Sequence, residues 1–66
     1  MKYKIKALRV GQGFKAGEFA NKVGISREYL RQIENGQAKN PNREIMIKIA
    51  KELNSDVVTL FFSDDN

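Results

Sequence analysis

The chain contains no cysteine, no histidine and no tryptophan, and a single proline, Pro41. Without cysteine there is neither a disulfide framework nor a thiolate metal site to staple the fold. Without histidine, the commonest general base and the commonest transition-metal ligand are both missing. No apolar run approaches the roughly 20 residues of a membrane-spanning helix, and none resembles a signal-peptide core. The expectation is a cytoplasmic protein that uses no membrane, no cofactor and no metal, and that is not an enzyme. Length excludes more. Sixty-six residues are too few for two domains or a doubly wound sheet with a substrate cleft. A folded chain of this size buries only about 60% of the surface its unfolded form exposes. Hydrophobic residues at 41% and charged residues at 30% nevertheless indicate one globular domain, spanning residues 1–66, rather than a disordered tail.

What the chain does have is basic charge, unevenly placed. The formal net charge is +4, but all 12 Lys and Arg residues fall within residues 1–51, beside only four acids, Glu18, Glu28, Glu34 and Glu44. That body carries +8. Residues 52–66 hold Glu52, Asp56, Asp64 and Asp65 with no base, giving −4. A basic body suits a polyanionic partner, and the acidic end suits a different contact.

Punctuation divides the chain into five short helices. Ile5 and Leu8, flanked by Lys2, Lys4, Lys6 and Arg9, predict a helix from Tyr3 to about Val10 with a basic outer face. Gly11-Gln12-Gly13 breaks it, and Phe14 enters the next element as a buried anchor. Phe19, Ala20 and Val23 mark one face of a helix over 16–23, which Gly24 stops. Ser26 caps a third helix, 27–34, pinned inward by Leu30 and Ile33, and Asn35-Gly36 ends it. A polar loop closes at Pro41. Asn42 then caps a helix over 43–53 with Met46, Ile49, Ala50 and Leu53 on one stripe, and Asp56 caps a last turn over about 57–61. The fold class is all-α: a compact five-helix domain whose polar end, 63–66, frays.

The second and third helices meet at a three-residue turn, Gly24-Ile25-Ser26. Ala20 is small where they cross, and Ile25 plugs the angle between them. This is a helix-turn-helix over about 16–34. It holds the second helix of the pair proud of the surface, and a major groove about 12 Å wide admits one α-helix. With Leu30 and Ile33 turned inward, Arg27, Glu28, Arg31 and Gln32 face outward and Tyr29 lies on the flank. Arginine suits the O6/N7 edge of guanine, glutamine suits adenine, and glutamate accepts from the amino group of cytosine.

The stretch from Ile5 to Phe62 resembles the lambda-repressor/Cro-type helix-turn-helix family, also called the Xre family. The likeness rests on Leu8-Arg9, Phe14, Glu18-Phe19-Ala20, Val23-Gly24-Ile25-Ser26, Ile33-Glu34-Asn35-Gly36, Pro41 and Ile49-Ala50-Lys51-Glu52-Leu53. It implies a lambda-repressor-like five-helix fold, operator binding as a homodimer on inverted repeats, and the third helix in the major groove. By the same resemblance, base contacts fall to Arg27, Glu28 and Gln32, with Tyr29 and Arg31 reaching bases or phosphates. Asn35, Gln37, Lys39 and Asn40 match the phosphate-binding loop. Arg9 and Glu34 match a partly buried structural ion pair. The chain departs from the family in carrying Ala16 where Gln is frequent, and Lys15 where a Thr, Ser or Asn cap is frequent. The phosphate grip there passes to the Lys15 ammonium or to the backbone amides of the helix start. Arg43 stands at a commonly apolar position, as a further phosphate ligand or a dimer contact.

The segment Val57-Val58-Thr59-Leu60-Phe61-Phe62 has more apolar surface than one short helix can hide. Val57, Leu60 and Phe61 suffice for the core, leaving Val58 and Phe62, with Ile45 or Ile47, for a partner. The candidate dimer interface is Ile45, Val58, Phe61 and Phe62, within about 45–62. The function expected is a sequence-specific regulator binding double-stranded DNA, a repressor acting as a homodimer on a palindromic operator, with no small-molecule effector. The alternative is an antitoxin, phage-associated or restriction–modification controller protein that also binds a second protein. A membrane-surface role for Lys2, Lys4 and Lys6 fails on the small apolar face beside them. A nucleotide loop at Gly11-Gln12-Gly13 fails because no strand precedes it.

Overall fold

Local capping chemistry divides the chain into helices, and a computed structural model shows where each one starts and stops; it describes residues 4–38 and 41–62. The elements are α1 (Lys4–Gly11), α2 (Ala16–Val23), α3 (Arg27–Glu34), α4 (Arg43–Glu52) and α5 (Val58–Phe62), the last wound as a single π-type turn. There is no strand among the described residues. The Ser26 hydroxyl accepts from the Tyr29 backbone N–H at 3.0 Å, and Asn42 Oδ1 accepts from that of Glu44 at 2.7 Å. The Asp56 carboxylate accepts from both the Thr59 hydroxyl (2.7 Å) and the Thr59 N–H (3.0 Å). Those bonds, the hydroxyl's first, hold its carboxyl below the ordinary value of 3.8. Gly24 ends α2 with φ +89°, a left-handed conformation open to glycine at no steric cost, and its N–H returns to the Ala20 carbonyl at 2.8 Å. The start of α2 is weaker than those of α3 and α4. Its cap residue, Lys15, has no side-chain acceptor, and only Glu18 reaches back to the Lys15 N–H, at 3.5 Å.

The core forms where the helices turn their apolar stripes together. Phe19, Leu30, Ile49 and Leu53 are fully enclosed, joined by Ile5, Ala20, Val23, Ile33, Ala50 and Leu60. Several expectations shift by small rotations. Phe14 is half-buried rather than buried: its ring stacks on the core from the rim, 5.5 Å from Phe19, under the ammonium of Lys22. On α4 the inward position before Ile49 goes to Ile45, one turn earlier, while Met46 stays outside the core cluster. The first helix runs one residue further than expected, through Gly11. The last starts one residue later, at Val58. Tyr3 and the polar end at 63–66 lie outside the described residues. None of the helices described is long and apolar enough to cross a membrane.

Two polar contacts tie the periphery to this core. Gln12 donates from Nε2 to the Leu53 carbonyl at 2.9 Å, and Lys4 donates from Nζ to the Thr59 carbonyl at 3.4 Å. The third contact is buried. Arg9 Nε donates to Glu34 Oε2 at 2.6 Å and Nη2 to Oε1 at 3.3 Å, while Nη1 donates to the Phe14 carbonyl at 2.8 Å. One guanidinium thus joins α1, the turn before α2 and the end of α3. Both side chains are buried, and no buried side-chain polar atom among the described residues lacks a partner.

Two stability outcomes follow. A Cβ built on Gly17 meets nothing within 4 Å, and its φ is not left-handed. Gly17→Ala should therefore stabilise the domain by about 0.4–1 kcal/mol, read as a higher midpoint in urea unfolding. Arg9→Met should cost about 3–5 kcal/mol, because it leaves the Glu34 carboxylate buried and unpaired. The double variant Arg9→Met/Glu34→Leu should recover most of that loss in the same assay. A double variant as unstable as the single one would show that the stranded charge is not the cause.

Candidate nucleic-acid interface

The site begins with the two apolar residues that α3 buries; its third buried residue, Glu34, is held by Arg9. Leu30 and Ile33 are buried in the core. At 3.6 residues per turn, their inward position leaves Arg27, Glu28 and Arg31 exposed and Gln32 half-buried on the outer side. Tyr29 is half-buried and packs against the core from the flank of α3. The exposed pair Arg31–Glu28 stands at 4.0 Å, a contact that water screens and that leaves both groups free to exchange partners.

A groove runs between α1, the start of α2 and α3. Its walls are Lys6, Ala16, Arg27, Glu28, Arg31 and Asn35, and the Arg9–Glu34 pair is at its base. The structure thus gathers four of the expected contact residues, Arg27, Glu28, Arg31 and Asn35, around one concavity. Lys15 is exposed immediately before Ala16, at the start of α2. The loop after α3 folds back on the helix: the Gln37 and Ala38 amides donate to the Gln32 carbonyl at 2.8 and 3.1 Å. Gln37 is exposed there, Asn35 is half-buried, and Arg43 is exposed at the first residue of α4. Lys39 and Asn40 lie outside the described residues. Neither Gln32 nor Gln37 lines the groove; they extend the polar surface along the far end of α3.

Sequence reasoning missed Lys6. It stands three residues before Arg9 and so on the same face of α1, which was the available signal, but its nearness to Arg27 depends on how α1 packs on α3.

The expected apolar interface divides in two. Ile45 and Phe61 are half-buried and packed against the protein's own core. Val58 and Phe62 are 64% and 65% exposed, and Ile47 is 38% exposed. Val10 on α1, which the sequence pattern did not single out, is 58% exposed.

Comparison with known proteins agrees with this architecture. The family model described as Helix-turn-helix matches residues 5–60. An uncharacterized helix-turn-helix-type transcriptional regulator of Archaeoglobus fulgidus is 35% identical over 65 residues, covering 98% of this chain and 91% of the relative. The transcriptional regulator SinR of Bacillus licheniformis is 32% identical over 62 residues, 94% of this chain but 56% of SinR, so the chain spans about half of that relative. Among solved structures, the N-terminal DNA binding domain of SinR from Bacillus subtilis superposes with a TM-score of 0.83 at 29% identity, covering 98% of this chain and 94% of that one. A chain of a SinR protein–SinI protein complex superposes equally well, 0.83 at 31% identity, covering 94% of this chain and 60% of that one. With the polar face of α3 held outward by a helix-turn-helix and the family model spanning nearly the whole chain, the protein belongs to the lambda-repressor-like, or Xre, helix-turn-helix family of DNA-binding transcription regulators.

Proposed function

We propose that the domain is a sequence-specific repressor, not an enzyme, that binds a palindromic operator as a homodimer through α3. The observation that carries this reading is the division of α3 itself. Leu30 and Ile33 are spent on the core, while Arg27, Glu28, Arg31 and Gln32, four side chains able to hydrogen-bond base edges, remain outside it. The cations Lys15, Lys39 and Arg43 supply contacts to the DNA backbone, which position the helix but do not read sequence. Asn35, Gln37 and Asn40 add neutral groups to the backbone contacts. Repression follows where the operator overlaps a promoter and the bound protein occludes polymerase.

The homodimer reading draws on the exposed side chains of α5. Val58 and Phe62 are large, apolar and unused by the core, and a two-fold contact through them would pair two α3 helices for half-sites about 34 Å apart. A second protein on the same surface is the competing reading, since a relative has been solved in complex with SinI.

Selection of sites from random DNA should return an inverted repeat with half-sites one duplex turn apart. On the selected site, Arg27→Ala or Gln32→Ala should cost about 1–3 kcal/mol and relax the preference at one base position. Lys39→Ala should weaken all sequences alike and reduce the salt slope by about 0.9. If none of the three substitutions changes affinity in a gel-shift titration, α3 is not the reading element. In sedimentation at micromolar concentration the wild type should run as a dimer, and Val58→Asp/Phe62→Asp should run as a monomer that still binds a half-site. A wild-type monomer on an asymmetric site would sink the homodimer and favour the second-protein reading.

A further inference from the structure

The groove between α1 and α3 carries more positive charge than the fold needs. Arg9 and Glu34 neutralise each other at its base, and Ala16 contributes only a methyl group to its wall. Glu28 and Arg31 stand as a loose pair at 4.0 Å. Two cations are left over, Lys6 from α1 and Arg27 from α3. Neither makes a hydrogen bond or an ion pair with any described residue, and both are exposed. Like charges gathered on one groove without a compensating acid repel one another in the free protein. They are stabilised when an anion enters.

The two side chains differ in what they suit. Arginine presents a planar fork that matches a base edge, and it stands on the helix that faces bases. Lysine presents a compact charge on a flexible stem, which suits a phosphate and carries no base preference. The root of Lys6 is also fixed: Arg9, one turn further along the same face of α1, is bolted to Glu34 of α3 by two hydrogen bonds. Lys6 therefore springs from a helix tied directly to α3, so a backbone contact made from α1 is held in register with whatever α3 reads.

We propose that Lys6 is a DNA-backbone contact, gripping a phosphate of the strand that runs along the α1–α3 groove while α3 lies in the major groove. The inference rests on the DNA-binding reading of α3 given above and adds α1 to the surface that holds the duplex.

The test measures binding of the whole 66-residue chain to a short random-sequence DNA duplex over a series of NaCl concentrations. Lys6→Ala should lower the magnitude of the log K against log salt slope by about 0.9, one phosphate contact, and weaken binding roughly eightfold at about 0.1 M salt. Its thermal midpoint should stay at the wild-type value, since Lys6 is exposed and bonds nothing described. Lys6→Arg should keep the slope. Lys51→Ala, at the far end of α4 and outside the groove, should leave slope and affinity unchanged. A wild type that binds no duplex overturns the DNA-binding reading and this inference together. A wild type that binds, with Lys6→Ala matching it in slope, overturns the role of Lys6 alone. The same holds if Lys51→Ala loses as much as Lys6→Ala, because the effect is then net charge and not a contact.

Discussion

The Arg9–Glu34 ion pair is the constraint on which the binding surface depends. A helix of eight residues such as α3 has no stable existence in water by itself. Its position comes from what it packs against. Apolar packing sets its depth through Leu30 and Ile33, but apolar contact is non-directional and tolerates sliding. The guanidinium of Arg9 is directional. Its fork meets the carboxylate of Glu34 at 2.6 and 3.3 Å, and its remaining terminal nitrogen meets the Phe14 carbonyl at 2.8 Å. Three segments are registered by one planar group, a task that a lysine ammonium could not perform with the same geometry. A buried pair of this kind contributes little net stability against a hydrophobic replacement. Its contribution here is position.

Position matters because the binding surface is made from leftovers of packing. Ser26 caps α3 and Gly24 turns the chain into it, so the helix begins at Arg27 and the first exposed side chain falls at the mouth of the α1–α3 groove. Each outward residue of α3 is outward because its neighbours are in the core. Substitutions at Arg27 or Gln32 therefore change the outer face of α3 without disturbing the core. Substitutions at Leu30 or Ile33 would remove the platform.

Much of this was legible in the sequence, and the parts that were not share one cause. Caps are local. Gly24, Ser26, Asn42 and Asp56 announce helix ends within a few residues, and each bonds or turns in the structure as its chemistry requires. The two-residue pin on α3 was equally plain, because nothing else on that helix except Tyr29 competes for the core. Helix rotation is less legible. Ile45, Met46 and Ile47 are three apolar residues in succession, so periodicity alone leaves the phase of α4 open by one position, and the structure resolves it in favour of Ile45. Phe14 looked like an anchor from its size but sits at the rim, where Lys22 covers its face. Lys6 was least legible of all. On α1 it reads as one more exposed lysine, and its meaning comes only from Arg27, far along the chain, lining the same groove.

The division of charge between a body of +8 and an end of −4 acquires a structural form through α1. Near its start, α1 meets α5 where Lys4 reaches the Thr59 carbonyl. Its Lys6–Arg9 face, on roughly the opposite side of the helix from Lys4, meets α3 across the groove. The helix is thus a strut with two faces of different character. One lies beside the helix that exposes Val58 and Phe62, and its lysine is engaged with the Thr59 carbonyl. The other is basic, and its cations stand beside the outward residues of α3. Burial of apolar surface favours a site that is dry and uncharged, whereas phosphate contact favours one that is wet and cationic. A domain this small has no second layer to separate the two demands. It separates them on opposite sides of α1.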